Sequence, residues 1–257
     1  MNKYALVTGA SKGIGKSIAI ELAKAGYQLL LVSRSEKDLQ ELATFITDNH
    51  KVKAQYLACD LSENGASAKV ATWCNGITTD LSVLVNNAGY GLFGSFDTLP
   101  LEGQSEMIRL NINAVVELSH LLLPALKAQP KAYILNIAST AAYQAMPALA
   151  IYAATKSFIL SFSRALRYEL KDSTVSVTCL SPGPTETGFA NRAGLDIIAE
   201  LAEKFNMQPD DVARIGLKAM FRKKPEIVPG LVNKFSAFGA GLLPKSLVER
   251  ISANIYK

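Results

Sequence analysis

The sequence predicts an α/β protein whose doubly wound, mostly parallel sheet has seven strands and helices on both faces. Three observations carry that expectation. Short apolar runs alternate with longer amphipathic segments, with no linker, repeat or low-complexity tract between them. A glycine-rich turn separates the first apolar run from the first helix. The residues able to do chemistry fall where predicted strands end, which is where open α/β sheets bind ligands.

The 257 residues, 49% hydrophobic and 19% charged, suit a soluble globular protein with a large core, expected as one domain over 1–257. Met1-Asn2-Lys3-Tyr4 leads straight into an apolar strand, so no secretory leader is expected. No run approaches the ~18 apolar residues of a membrane span. Cys59, Cys74 and Cys179 are widely spaced and odd in number, which points to free thiols in a reducing cytoplasm. His50 and His120 are the only histidines and lie far apart, so neither a histidine triad nor a metal site is expected. The net charge of +5 raises a nucleic-acid reading. The cations are scattered, however, with only Arg222-Lys223-Lys224 clustered, and a solvated basic surface with no nucleic-acid partner is expected.

Lys3 to Thr8 reads as a buried strand and is followed by Thr8-Gly9-Ala10-Ser11-Lys12-Gly13-Ile14-Gly15, then a helix to about Gly26. Strand, glycine turn and helix start can cradle a dinucleotide pyrophosphate on free N–H groups, with Gly9, Ser11, Lys12, Gly13, Ile14 and Gly15 as candidate contacts. The same turn could be purely structural. The second strand, Gln28 to Val32, ends in Ser33-Arg34, where an NAD site usually places an acid for the ribose 2′-hydroxyl. A guanidinium can instead take a 2′-phosphate through two parallel hydrogen bonds, so Ser33 and Arg34, with Lys12 nearby, favour NADP(H). The bland reading of Arg34 is that it opens a solvated helix.

A helix over Glu36 to Asn49, a strand over Lys53 to Leu57 and a helix over Ser62 to Asn75 follow. Asp60, with Leu61 beside it, either accepts from an adenine amino group or caps that last helix. Leu81 to Val85 is a fourth strand ending in Asn86-Asn87-Ala88-Gly89, which suits close packing on a cofactor or a simple turn. Gly103 to Gln129 reads as one long helix with Met107, Leu110, Ala114, Val115, Leu118 and Leu122 inward. Asn111 lies on or beside that face, so its amide is either satisfied by backbone or organises a water and the Lys156 ammonium. Tyr133 to Ala138 is the fifth strand, and Ser139 at its end either donates to a substrate oxygen or simply makes the turn.

Ile151 to Leu170 reads as an amphipathic helix with Ile151, Phe158, Phe162, Ala165, Leu166 and Leu170 on its apolar stripe. Tyr152 and Lys156 sit one turn apart on it. A free tyrosine titrates near pH ~10, and an ammonium at that distance favours the phenolate, giving a phenol able to exchange a proton near neutrality. After a sixth strand, Val175 to Leu180, the stiff Pro182-Gly183-Pro184-Thr185-Glu186-Thr187 loop can hold a nicotinamide carboxamide. Residues 188–208 are expected as a substrate flap, Asp210 to Phe221 as a helix and Glu226 to Val228 as the last strand. The tail, 231–257, is apolar and carries Lys234, Lys245 and Arg250; it fits packing on the pocket or another subunit, or contact with a membrane surface.

These motifs together resemble the short-chain dehydrogenase/reductase family, in its single-domain, Rossmann-type branch, from Lys3 to about Val228. TGASKGIG, NNAG, the Ser139–Tyr152–Lys156 arrangement and PGPTET stand in that family's order. The resemblance implies catalytic roles for Asn111, Ser139, Tyr152 and Lys156, with Asn113 the nearby competitor of Asn111. It implies cofactor contacts at Gly9, Gly13, Gly15, Asp60, Asn86 and Thr187, and at Lys156 through the nicotinamide ribose. It further implies hydride transfer between NADP(H) and a carbonyl or secondary alcohol, in a homodimer or homotetramer built on the two long helices. The apolar flap and tail suggest a hydrophobic ketone or 3-oxoacyl substrate. A non-catalytic NADP-binding sensor or scaffold is the rival, and it has no need of all four catalytic residues.

Overall fold

The computed structural model describes residues 3–187, 206–239, 244 and 246–250. Its elements are β1 (Tyr4–Thr8), α1 (Gly13–Lys24), β2 (Gln28–Ser33), α2 (Glu36–His50), β3 (Ala54–Ala58), α3 (Ala66–Ile77), β4 (Leu81–Asn86) and α4 (Leu101–Ile108). A π turn (Arg109–Asn113), α5 (Ala114–Lys127), β5 (Ala132–Ile137), a 3-10 turn (Thr140–Tyr143) and α6 (Ala150–Glu169) follow. Then come β6 (Val175–Leu180), α7 (Pro209–Phe221), β7 (Glu226–Ile227) and α8 (Leu231–Gly239), with residues 246–250 helical beyond them. The expected flap falls outside the described residues except for 206–208.

The seven strands lie in the order β3-β2-β1-β4-β5-β6-β7, and every pair is parallel, where the sequence had suggested only a mostly parallel sheet. Both faces are covered, so the strands read as continuous apolar runs. Alternate residues serve opposite cores. Leu30 and Val32 pack with Val70, Leu118 and Leu122 from α3 and α5. Leu29 and Leu31 pack with Ile18, Leu39, Ile46 and Met220 from α1, α2 and α7. A fully buried leucine of this kind contributes roughly 1.5–3 kcal/mol of transfer free energy. Strand order reverses between β1 and β4, which opens a crevice at their C-terminal ends.

Local chemistry sets the element ends. Ser35 caps α2 by accepting from the Asp38 N–H at 3.4 Å, and Glu36 and Asp38 sit on the positive end of its dipole. Pro209 opens α7 and Asp210 and Asp211 follow it in the first turn.

Three expectations change. α3 starts at Ala66 rather than Ser62, because the Asp60 carboxylate accepts from both the N–H (2.9 Å) and the hydroxyl (2.6 Å) of Ser62 and makes a turn there. The long helix expected from Gly103 is broken by the π turn, and it begins at Leu101. On α6 the buried face is Tyr152, Ala153, Thr155, Lys156, Ile159, Leu160 and Ser163, whereas Phe158 and Ala165 are exposed. Of the apolar stripe read from spacing, Ile151, Phe162, Leu166 and Leu170 do pack inward, and Phe158 and Ala165 are the two that face out. Ser163 belongs inside because its hydroxyl accepts from Asn136 at 2.9 Å.

Candidate active site

The glycine turn joins β1 to α1 at the switch in strand order. Gly13 takes φ +54, and a Cβ there would sit 2.8 Å from the Thr187 side chain, so the end of the Pro182–Thr187 loop lies against the turn. A Cβ at Gly15 would collide with the Gly9 carbonyl. The N-cap residue of α1, Lys12, makes no side-chain cap bond, and the first turn carries no acid, which leaves N–H groups and positive dipole for an anion.

Asn87 fastens this turn. Its amide donates to the carbonyls of Thr8 at 3.0 Å and Gly9 at 3.1 Å. The Thr8 hydroxyl donates to Val85 O and accepts from the N–H groups of Asn87 and Ala88, each at 3.0 Å. Thr8 was not picked out from sequence, although a hydroxyl ending an otherwise apolar strand was the available signal. Asn86 points the other way. It is buried and donates to Ser119 at 3.1 Å and Asn136 at 2.9 Å, so its side chain braces β4, α5 and β5 beneath the crevice.

At the end of β2 the Ser33 hydroxyl is buried with no hydrogen-bond partner among the described residues. Arg34 beside it is 47% exposed and lies 3.4 Å from Asp60 and 3.8 Å from Glu106. Burial alone would raise the Asp60 carboxyl; the Ser62 bonds and the Arg34 charge outweigh it and hold the group below the ordinary carboxylate value. Asp60 therefore does not cap α3, whose N-cap is Gly65; it makes the turn ahead of that helix and anchors Arg34. Lys12 pairs with Asp38 at 3.5 Å. An orphaned hydroxyl, a cation beside it and uncapped helix N–H groups together fit the ribose-phosphate and pyrophosphate of a dinucleotide.

The other predicted residues meet across the crevice. Asn111 sits in the π turn, 1% exposed. Its Oδ1 accepts from Tyr90 N (3.1 Å), while its Nδ2 donates to Tyr90 O (2.9 Å) and to the Thr155 hydroxyl (3.0 Å). The backbone alternative raised by the sequence is met, with Thr155 as a further partner. A Cβ at Gly89 would lie 2.9 Å from Asn111 Oδ1 and 3.4 Å from Lys156 Nζ, so both line one small space. Asn113, the competitor, is exposed. Lys156 is 6% exposed; its ammonium donates to Ile137 O at 3.0 Å and stands 5.8 Å from the Tyr152 ring centre. Burial pushes the Lys156 pKa down to about 8, partly opposed by Cys179. Tyr152 is 9% exposed. Ser139 ends the same strand that anchors Lys156, and its hydroxyl accepts from Ala141 N at 3.1 Å to open the 3-10 turn. Pro182 joins the group through its carbonyl, which accepts from Thr140 N at 2.9 Å. Thr185 donates to Gly183 O at 2.9 Å and stiffens that loop.

Residues 3–197 match the short chain dehydrogenase family, so the chain belongs to that family of oxidoreductases. The very-long-chain 3-oxoacyl-CoA reductase-A of Danio rerio is 37% identical over 186 residues, 71% of this chain and 58% of its own length. The 17-beta-hydroxysteroid dehydrogenase type 3 of Homo sapiens is 30% identical over 241 residues, 93% of this chain and 77% of its own. The chain thus spans under two thirds of the 3-oxoacyl-CoA reductases it matches. A solved short-chain dehydrogenase from Sphingobium yanoikuyae in complex with NADPH superimposes with a TM-score of 0.84 at 30% identity, covering 96% of this chain and 94% of that one. Among the described residues no helix is long and apolar enough to cross a membrane.

Proposed function

We propose that the chain is an NADP(H)-dependent reductase of a hydrophobic ketone or 3-oxoacyl compound, acting as one catalytic domain. The observation that carries this reading is the buried Lys156 ammonium, fixed at 3.0 Å on Ile137 O one turn from Tyr152 at the mouth of the dinucleotide cradle. When bound, the nicotinamide supplies the hydride that reduces the carbonyl carbon. Tyr152 gives a proton to the oxygen as it becomes an alkoxide, or takes one back in the reverse direction. Ser139 hydrogen-bonds the same oxygen and orients it. The Lys156 cation stabilises the charge that Tyr152 acquires and would hold the nicotinamide ribose. Asn111, by holding Tyr90 and Thr155, keeps Lys156 and its route to solvent in register. Gly9, Ser11, Gly13, Ile14 and Gly15 would bind the pyrophosphate, and Lys12, Ser33 and Arg34 the 2′-phosphate. Asp60, Leu61, Ala88 and Gly89 would line the adenine and ribose path, and Pro182, Gly183, Thr185 and Thr187 the carboxamide.

Two kinds of observation support the finer points. NADP(H) is favoured by Ser33 in place of an acid with Arg34 beside it, and by the NADPH bound in the Sphingobium yanoikuyae relative. A hydrophobic substrate is favoured by Leu92, Phe93, Met146 and Leu149, which share an apolar cluster with Tyr152, and by the names of the reductase and steroid dehydrogenase relatives. Exposed Leu121 on α5 and Phe158 on α6 support a homodimer or homotetramer through those helices. The test is NADPH oxidation by the purified chain across apolar ketones, aldehydes and 3-oxoacyl thioesters. Turnover of at least one apolar ketone or thioester is expected; tight NADPH binding with no turnover of any would favour the sensor.

A further inference from the structure

We infer that Tyr143, backed by Glu226 and Arg164, is a positioning device for the Ser139 hydroxyl; this rests on the oxidoreductase reading above. Ser139 and Tyr143 stand at the two ends of one short turn, and three anchors hold it. Thr140 N donates to Pro182 O at 2.9 Å, and the Ser157 hydroxyl donates to Ala142 O at 2.8 Å. The third anchor is the Tyr143 hydroxyl, which donates to the Glu226 carboxylate and reaches the buried Ser181 hydroxyl at 3.3 Å. Glu226 is itself fixed by Arg164 of α6, whose Nε and Nη2 donate to one carboxylate oxygen at 2.9 and 2.6 Å. Burial and the neighbouring carboxylate push the Tyr143 pKa upward, so the phenol stays a donor.

Ser157 ties the turn straight to α6, and the Tyr143 anchor adds a second tie by way of the sheet edge. Glu226 lies on the two-residue strand β7, which among the described residues pairs with β6 alone, at Cys179 and Leu180. Tyr143 therefore ties the Ser139 turn to the sheet edge, and Arg164 ties that edge to the helix carrying Tyr152 and Lys156. The Tyr143–Glu226–Arg164 side chains thus join the turn that bears the proposed oxygen-binding hydroxyl to the helix that bears the proposed proton donor. On the far side the Tyr143 ring meets Phe238 of α8, with centres 5.8 Å apart, so α8 bears on the same turn.

The test is a double-mutant cycle on turnover of whichever ketone the wild type reduces. Tyr143→Phe removes one hydroxyl and should lower kcat about 10-fold, the loss matching one charge-assisted hydrogen bond. In a Ser139→Ala background the same change should cost less than about 2-fold, because the group it positions is gone. Glu226→Ala should reproduce the loss, and combined with Tyr143→Phe it should cost no more than either alone. Equal losses with and without Ser139, or no loss, would overturn the inference. Hydrogen exchange in 138–144 supplies a readout independent of chemistry: Tyr143→Phe should speed it while leaving β1 and α1 unchanged, and unaltered exchange would overturn the inference. A wild type that turns over none of the ketones, aldehydes and thioesters defeats the reductase reading alone, and exchange in 138–144 then decides on the Tyr143 anchor.

Discussion

Asn111 donates to the Thr155 hydroxyl across 3.0 Å and so joins the π turn to the helix that bears Tyr152 and Lys156. Thr155 passes the contact on, donating to Tyr152 O at 2.7 Å. The same amide closes both polar groups of the Tyr90 backbone, so one side chain sets three segments around the crevice. Replacing it with alanine strands buried donors and acceptors. Asn111→Ala should cost about 2–4 kcal/mol of stability, read from urea or thermal unfolding. A loss below about 1 kcal/mol would mean that water takes over these bonds.

Tyr152→Phe removes only the hydroxyl. Turnover should fall by at least about 100-fold, the scale of a lost general acid, while NADPH affinity by fluorescence titration stays within about 2-fold. Ordinary turnover in this variant would remove Tyr152 from the mechanism.

Arg34 faces the acids Asp60 and Glu106 at 3.4 and 3.8 Å, and the cofactor phosphate would compete with them for its guanidinium. Arg34→Ala should weaken NADPH by about 10- to 100-fold and NADH by less than about 3-fold, as expected for one charge-assisted contact. An unchanged ratio of the two dissociation constants would exclude the 2′-phosphate contact.

The Lys156 pKa of about 8 has a consequence for stability. An unfolded lysine keeps its proton until pH ~10.4. Between those values the unfolded chain binds more protons, so stability rises with pH. The wild type should gain about 1–2 kcal/mol relative to Lys156→Met between pH 7 and 9.5, in parallel thermal melts without cofactor. Cys74 and Cys179, with pKa values raised by burial to about 12 and about 11, act in the opposite direction but in both proteins. A difference that shrinks with rising pH would mean that Lys156 is not desolvated.

Much of the layout was legible because it is periodic or local. The seven apolar runs became the seven strands, most within a residue of their expected ends, and the glycine turn sits between β1 and α1 as read. Readings that depended on which way a face turns fared less well. Phe158 and Ala165 belong to the outer side of α6, since helical spacing yields a stripe without saying which stripe meets the sheet. The neighbours Asn86 and Asn87 could not be told apart from sequence, yet one braces the core and the other fastens the glycine turn.

By itself the sequence determined the strand and helix alternation, the parallel sheet that follows from it, and the spacing of Tyr152 and Lys156, because backbone periodicity and burial act over a few residues. Tertiary structure alone decided the break at Asn111, the pairing of Arg34 with Asp60 and the link from Tyr143 to Glu226. Each joins residues more than twenty positions apart, at angles that only the assembled sheet defines. A side chain's partner depends on where distant elements come to rest, and local pattern carries no record of that.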